Sequence, residues 1–459
     1  MTDLIALART VVGAGPDVAT PMNRTPRSVP AAWNTAGLVG IGVGVLSLAG
    51  GLATQTDRTL GVLLTCIVYF FGVALGGVLF SVVQTVVLAR WGRPFKRIAE
   101  SFSAFLPVLY VLWALFLLGG GTRIYEWTHE PMHGHKAIWL APGFFIARQL
   151  VLMGFLSLLG VLFVRNSLRP DMGVTAEAIG AHKAPAWWGQ ITQGWKGRAA
   201  EVEAAYRRNI ALGPIYILAY AVIFTLFAVD AVMSLAPHWY ANMFPAWIFV
   251  SSFWLAINWI CIVSVMSKKW LDIEHLLQPK NYHDLGKMMF ALSIFWTYTF
   301  YAQLLAIWYG NMPEETGYLL LRLYTDTWSP LAKVVFAMNF VIPFTVLLSR
   351  GIKKLPESLV WVAMIIATGV FLERFLLVMP QVWREDSLPI GPVEIGVFIG
   401  FISAFLTIVL NFLARVPPVP VSDPFMHENP SDVHVHSLHA HDDHGAAHAH
   451  GGHGHGGHH

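Results

Sequence analysis

Long apolar stretches alternate with short charged or proline-containing segments along most of the chain. Each stretch can cross the hydrocarbon core of a bilayer as an α-helix, which takes about 20 residues. Helices are favoured because an open sheet cannot satisfy its backbone polar groups in lipid. The pattern therefore predicts an all-α, polytopic membrane helix bundle. The ten predicted transmembrane segments are residues 33–53, 60–89, 102–121, 138–165, 207–233, 243–267, 288–309, 328–349, 357–379 and 392–414.

Two segments of different composition flank this predicted membrane domain, which covers residues 33–414. Residues 1–32 contain a short apolar run interrupted by Arg9, which predicts a polar cytoplasmic arm rather than a cleaved signal peptide. Residues 415–459 turn proline-rich and then histidine-rich, with too little apolar surface for a core, and are predicted to form a disordered cytoplasmic tail. Imidazoles of this tail can bind Zn²⁺, Ni²⁺ or Cu²⁺ adventitiously. The candidates are His448, His450, His453 and His455.

Composition excludes several classes of protein. Of the 459 residues, 55% are hydrophobic and 12% are charged, whereas soluble proteins carry about 25% charged residues. A water-soluble enzyme, a disordered chain and a nucleic-acid-binding protein are therefore excluded. The chain has two cysteines and no CxxCH motif, and no histidine falls in the middle of a predicted span. These observations predict a membrane domain that holds no haem, iron–sulfur cluster or other redox metal of its own.

The distribution of Lys and Arg predicts the orientation. Alternate connecting segments and the two termini carry 22 of these residues on one face of the predicted bundle, against five on the other face. Cytoplasmic segments are the ones enriched in Lys and Arg. Both termini are therefore predicted to be cytoplasmic, which requires an even number of helices.

Glycines spaced four residues apart occur in three predicted helices. The pairs are Gly40/Gly44, Gly72/Gly76 and Gly396/Gly400. Such spacing lets two helix backbones approach closely in lipid. It predicts tight packing, either within this chain or against a partner subunit.

Charged residues within the apolar segments are few. Arg148 lies about ten residues into the fourth segment, which predicts a position near mid-membrane, and Asp230 is close to the outer end of the fifth. Glu373 and Arg374 lie in the outer half of the ninth segment. Each such charge costs about 2.5–3.5 kcal/mol on insertion scales, so it normally faces a partner or a wet cavity. Two interpretations stay open: structural ion pairs between these groups, or a proton relay or ligand site.

The outer connecting segments are rich in aromatic and hydrogen-bonding residues, and His238 follows Asp230 on one of them. A quinol headgroup needs an apolar slot and a carboxylate or imidazole that accepts protons, and histidine has a suitable pKa near neutrality. The composition fits a quinol site, although the substrate gates of transporters look similar.

At the inner face, His283, Asp284 and Lys287 open the seventh segment. They are predicted either to form a helix cap and interface anchor or to take up protons below Gln303.

Three stretches carry a family resemblance. They are DAVMSLAPHWYANMFPAWIFVSSF at residues 230–253, HDLGKMMFALSIFWTYTFYAQLLAIWYGNMPEET at 283–316 and GPVEIG at 391–396. These stretches resemble the NrfD/polysulfide-reductase-type membrane subunits of alternative complex III. With the predicted helices, the similarity covers about residues 33–414 and is closest to ActF, the second of the two related membrane subunits.

This resemblance implies a metal-free subunit of a quinol:cytochrome c, or more generally quinol:electron-acceptor, oxidoreductase in the bacterial cytoplasmic membrane. The implied partners are a sibling NrfD-like membrane subunit, an iron–sulfur protein, c-type cytochrome subunits, membrane lipid and a quinone, with quinol or menaquinol as substrate. One sibling holds quinol, and both have been proposed to contain proton half-channels. The implied quinol-binding or proton-path residues are Arg148, Asp230, His238, Gln303, Glu373 and Arg374, with His283, Asp284 and Lys287 at the inner mouth.

Two other functions remain open on the sequence alone. An ion-coupled secondary transporter also has many helices and buried charges, but such proteins often contain internally repeated halves, and no clear repeat is present here. A purely structural membrane anchor, with no quinone or proton role, would also account for the pattern.

Overall fold

The computed structural model describes residues 27–130, 132–180 and 182–423. Within these ranges, ten helices are long and apolar enough to cross a membrane, and no strand is present. The chain is therefore an all-α, multi-pass membrane helix bundle, as the apolar pattern predicts. The helices are α1 Ala31–Thr54, α2 Thr56–Val86, α3 Arg93–Leu118, α4 Pro142–Ile179, α5 Arg198–Leu235, α6 Phe244–Ser267, α7 Pro279–Gly310, α8 Ser329–Leu347, α9 Pro356–Val382 and α10 Pro392–Arg415.

We call the end of the bundle at which α1 meets α2 the outer end, and the opposite end the inner end. On the predicted orientation the inner end faces the cytoplasm. The apolar part of α2 is completely buried, and α2 contacts α1, α3, α5, α6, α9 and α10. A helix that is apolar on every side is suited to this central position. The hydroxyl group of Tyr69 on α2 donates to the carbonyl of Ala367 at 3.1 Å and accepts from Trp259 Nε1 at 2.9 Å, which ties α2 to α9 and α6.

The glycine pairs pack within the chain. A Cβ on Gly44 of α1 would lie 2.4 Å from the Cα of Gly400 on α10, so these two backbones touch. On α2, a Cβ on Gly76 would lie 2.7 Å from the Cβ of Ala256 on α6. Of the two interpretations of these spacings, the structure therefore favours packing inside the bundle over packing against a partner.

We expect Gly44→Ala to destabilise the protein by about 1–3 kcal/mol, because the added methyl group must push α1 away from α10. Thermal unfolding of the purified protein in detergent measures the effect. Gly42→Ala is the matched control, since a Cβ on Gly42 meets nothing within 4 Å. Equal unfolding temperatures for the two variants would contradict close α1–α10 packing.

Several helices extend beyond the predicted segments at the inner end. The third begins at Arg93 instead of residue 102, and the fourth continues to Ile179 instead of residue 165. The fifth and seventh begin at Arg198 and Pro279, earlier than predicted. The apolar pattern stops at the first charges, but a helix continues past them where one of its faces is still covered by protein.

The beginning of the predicted tail is also different. Residues 416–423 are packed against the bundle, with Val416, Val419 and Val421 buried, so the prediction of a disordered tail from residue 415 is wrong for this part. Its valines bury apolar surface, and its last residues meet buried charges of α3 and α4. Residues 424–459, with His448, His450, His453 and His455, lie outside the described residues, as do residues 1–26.

Candidate functional site

Three clusters of buried charge lie at different heights in the bundle. The outer cluster is centred on Asp230, the central cluster on Glu373 and Arg374, and the inner cluster on Arg97 and Asp171. The carboxylate oxygens of all three are nearly or completely removed from solvent. Each cluster joins at least two helices, so each is positioned by the tertiary packing of the bundle.

The outer cluster surrounds the carboxylate of Asp230, next to the end of α5. Its Oδ2 accepts from Arg148 Nε at 2.9 Å and from Gln149 Nε2 at 2.6 Å. Its Oδ1 accepts from Trp139 Nε1 at 3.0 Å. Ser234 donates to the backbone carbonyl of Asp230. One carboxylate therefore holds α4, α5 and the short helix His135–Trp139 together at the outer end.

Arg148 lies nearer the outer end than predicted. Since α4 begins at Pro142, after a separate short helix, Arg148 is in its second turn and not near mid-membrane. Its guanidinium stacks over the rings of Trp139 at 3.9 Å and Phe144 at 4.7 Å. Phe144 is 49% exposed, so an accessible apolar surface lies beside the Arg148–Asp230 ion pair.

Two polar atoms of the outer cluster have no partner among the described residues. They are Arg148 Nη2, a donor, and Gln149 Oε1, an acceptor, and both are buried. Buried polar atoms normally find a hydrogen-bond partner in protein, water or ligand. Both side chains also donate to the same oxygen of Asp230, so a small group that both donates and accepts suits this part of the site.

The central cluster is an ion pair between consecutive residues of α9. Arg374 Nη1 donates to Glu373 Oε1, and Trp296 Nε1 of α7 donates to Glu373 Oε2 at 2.8 Å. Arg374 Nη2 donates to the hydroxyl groups of Ser251 at 2.6 Å and Ser252 at 3.1 Å on α6. The two charges form an ion pair, as the structural interpretation expects. They are also surrounded by polar groups of neighbouring helices, so a proton relay or ligand site stays open.

A π-helical turn in α8 brings a further amide to this cluster. The turn Ala337–Val341 points Asn339 inward, where its Nδ2 lies 3.4 Å from Glu373 Oε2. A Cβ on Gly369 of α9 would lie 2.2 Å from Asn339 Oδ1, so glycine is needed for this approach. Single π-turns within α-helices are frequent at functional sites. The sequence analysis missed Asn339, whose only signal was an amide in an apolar run close to Pro343.

Aromatic residues separate the outer and central clusters. Between Tyr220 and Asp230, the buried face of α5 carries Phe224 and Phe227, whose ring centroids are 5.6 Å apart. Trp113 packs edge-on against Phe227 at 5.4 Å. Among the described residues, no hydrogen bond or ion pair joins the two clusters. The predicted candidates therefore form two sites and not one continuous polar path.

The remaining predicted candidates lie outside these clusters. His238, predicted to act beside Asp230, is exposed and has no hydrogen bond with a described residue, because the chain turns away after Ser234. Gln303 is buried on the same face of α7 as Trp296, but its amide donates to Thr299 O at 3.2 Å within its own helix.

The inner-mouth candidates do not form a helix cap. Since α7 begins at Pro279, its N-cap is Gln278, whose backbone NH donates to Asn281 Oδ1 at 3.1 Å. Asp284 comes a turn later and pairs with Lys287 at 2.6 Å, and His283 Nδ1 lies 4.0 Å from the same carboxylate. The three residues form a partly exposed group at the inner surface, and no hydrogen bond or ion pair of the described chain joins them to Gln303.

The inner cluster was missed by the sequence analysis. Arg97 of α3 pairs with Glu100 Oε2 at 2.6 Å and with Asp171 of α4. Asp171 Oδ1 also accepts from the backbone NH of Ser422 at 2.7 Å. Asp423 pairs with Lys96 at 2.9 Å and with Arg93. These basic residues were assigned to a connecting loop, and two of their carboxylate partners, Asp171 and Asp423, are far away in the sequence.

Arg322 at the outer surface was also missed as a structural residue. It lies on the helix Pro313–Leu323 and is 3% exposed. Its guanidinium donates to the carbonyls of Leu376 at 3.1 Å and Leu377 at 2.9 Å. Pro380 has no NH for the Leu376 carbonyl, so Arg322 supplies the donor that the proline removes. Burial lowers the pKa of Arg322, and the nearby Tyr318 partly opposes this shift.

Among the described residues, no group of three or more His, Cys, Asp or Glu side chains is placed to hold a metal ion. The fold and the clusters define a multi-pass membrane protein with paired charges buried at three heights. No protein-family model and no curated protein matches the chain.

Proposed function

We propose that this chain is a membrane subunit of a quinol:electron-acceptor oxidoreductase in the bacterial cytoplasmic membrane, where it contributes to quinol interaction or to proton conduction. The main support for this proposal is that the stretches with the family resemblance contribute to the buried polar clusters. The two long stretches that resemble NrfD-type subunits supply Asp230 to the outer cluster and Ser251, Ser252 and Trp296 to the central cluster. The stretches that carry the resemblance therefore supply some of the residues of both buried polar sites.

The outer cluster is the better candidate for quinol contact. A quinol hydroxyl both donates and accepts, which matches the free acceptor Gln149 Oε1 and the free donor Arg148 Nη2. The exposed ring of Phe144 and the partly exposed ring of Trp139 offer apolar surface beside these atoms. Oxidation of a quinol to a quinone releases two electrons and two protons. The electrons would pass to centres of the proposed iron–sulfur and c-type cytochrome partners. One proton would go to Asp230 and the other to solvent at the outer end.

The central cluster is the candidate for proton conduction. Glu373 and Arg374 are 1% and 0% exposed, so they are sealed from bulk solvent. A carboxylate within the membrane is costly to bury, so it is a candidate for a functional role together with the group that it pairs with. The partner here is Arg374, and the amide of Asn339 lies beside the carboxylate.

We expect Asp230→Asn in the intact complex to lower quinol-dependent acceptor reduction by about 10²-fold, the lower end of what a positioned proton acceptor contributes. Steady-state reduction of the acceptor by a soluble quinol analogue measures this. Asp57→Asn is the matched control at the same end of the bundle, because Asp57 is about half exposed and pairs with the exposed Arg123.

Gln149→Leu distinguishes contact with quinol from a role in proton transfer. If Gln149 contacts quinol, the substitution should raise KM for the quinol more than it lowers kcat. Normal turnover and normal proton release in Asp230→Asn and in Glu373→Gln would favour a structural anchor instead. Substrate uptake by liposomes that contain this chain alone would favour a transporter.

A further inference from the structure

Four polar atoms near the Glu373–Arg374 pair are buried without a partner among the described residues. They are Arg374 Nε, Asn339 Oδ1, Tyr220 Oη and Trp247 Nε1. Their four helices, α9, α8, α5 and α6, meet around the ion pair. The side chains that carry these atoms are at most 7% exposed.

Contacts place these side chains around the pair. Asn339 lies 3.4 Å from Glu373 through its Nδ2. The ring of Tyr220 lies 5.1 Å from that of Phe249 on α6, next to Ile248, whose carbonyl accepts from Arg374 Nη2 at 3.3 Å. The ring of Trp247 lies 5.9 Å from that of Trp296, which donates to Glu373. The unpartnered atoms therefore line the same region of the bundle interior.

The chemistry of the four atoms points to one small ligand. A buried polar atom without a hydrogen bond costs about 1–3 kcal/mol, and the surroundings here offer no bulk solvent in compensation. Two of the atoms are donors, one is an acceptor, and the Tyr220 hydroxyl can act as both. Water both donates and accepts, forms about three hydrogen bonds when buried, and is small enough for a site that excludes larger ligands.

We propose that water molecules are bound in the membrane interior around Arg374 Nε, Tyr220 Oη, Asn339 Oδ1 and Trp247 Nε1. This water bridges α5, α6, α8 and α9 and joins the Glu373–Arg374 pair to the Tyr220 hydroxyl. It also replaces part of the solvation that the ion pair loses on burial. The inference does not depend on the proposed oxidoreductase role, because it follows from the unpartnered atoms alone.

Radiolytic hydroxyl-radical footprinting of the full chain in H₂¹⁸O tests the site, because radicals formed from bound water label the side chains that touch it. Tyr220 should be labelled with ¹⁸O several-fold faster than Tyr216. The two tyrosines are a matched pair: both lie on α5, they are 0% and 1% exposed, and their rings stack at 6.3 Å. The Tyr216 hydroxyl, however, donates to the carbonyl of Leu75 at 3.1 Å. Equal labelling of the two residues, or no labelling of either, would overturn the proposal.

A density map of the full-length protein that resolves ordered water provides a second measurement. We expect water density within hydrogen-bonding distance of both Arg374 Nε and Tyr220 Oη. A well-ordered map with no density at these atoms would overturn the proposal, whatever the result of the Asp230 assay.

Discussion

Replacing Arg374 with methionine is expected to destabilise the folded protein by about 3–5 kcal/mol, the usual effect of removing one partner from a buried ion pair. The substitution leaves the Glu373 carboxylate among neutral donors such as Trp296 and Asn339. It also removes the hydrogen bonds to Ser251 and Ser252 that fasten α9 to α6. The loss is large because bulk solvent does not reach Glu373.

Unfolding of the purified protein in mixed micelles, followed by tryptophan fluorescence, measures this loss. Arg123→Met is the matched control: Arg123 also pairs with a carboxylate, that of Asp57, but both side chains are about half exposed. Exposed pairs contribute about 0–1 kcal/mol. The double variant Glu373→Gln, Arg374→Met should recover much of the stability, since no lone charge remains. If the two single Arg→Met variants lose equal stability, the central pair is not a buried structural tie.

Ending the chain after Arg415 is expected to lower stability by several kcal/mol relative to a chain that ends after Asp423. The shorter chain loses Asp423, whose carboxylate pairs with Arg93 and Lys96 in the full chain. It also loses the Ser422 backbone NH that donates to Asp171. It also loses the buried side chains of Val419 and Val421, so the apolar surface of the bundle that they cover becomes exposed.

Expression level in the membrane and the unfolding temperature of the two truncated chains provide the measurement. Asp423→Ala in the full chain isolates the charge from the valines, and it should cause part of the loss. Two truncated chains of equal stability would show that residues 416–423 only rest on the surface of the bundle.

Apolar patterning predicted the all-α class and the number of candidate membrane spans in the described part of the chain, because a span of about 20 apolar residues has no other stable conformation in lipid. It also identified Arg148, Asp230, Glu373 and Arg374, since charges within such spans are conspicuous. Local spacing further predicted close packing at Gly44 and Gly400, because small residues permit contact whatever the partner is.

The helix-cap interpretation of Asp284 is wrong, whereas the functional role of His238 stays a prediction. The surroundings of both residues depend on features that their positions in the sequence do not give. His238 follows Asp230 closely along the chain, yet it points to solvent. Asp284 lies near the predicted start of its helix, but the helix begins a turn earlier, at Pro279.

For residues 27–423, the sequence by itself determined how many helices are long and apolar enough to cross a membrane and which charges lie within them, since both follow from the cost of exposing polar groups to lipid. Only the tertiary structure decided that Arg148 pairs with Asp230, that Arg97 pairs with Asp171, and that Asn339 lies beside Glu373. Helical spacing decides which side chains share a face, but which faces meet depends on how all ten helices pack. Hydrogen bonds and ion pairs act over a few ångströms, so the members of each cluster became evident only after packing had brought distant segments together.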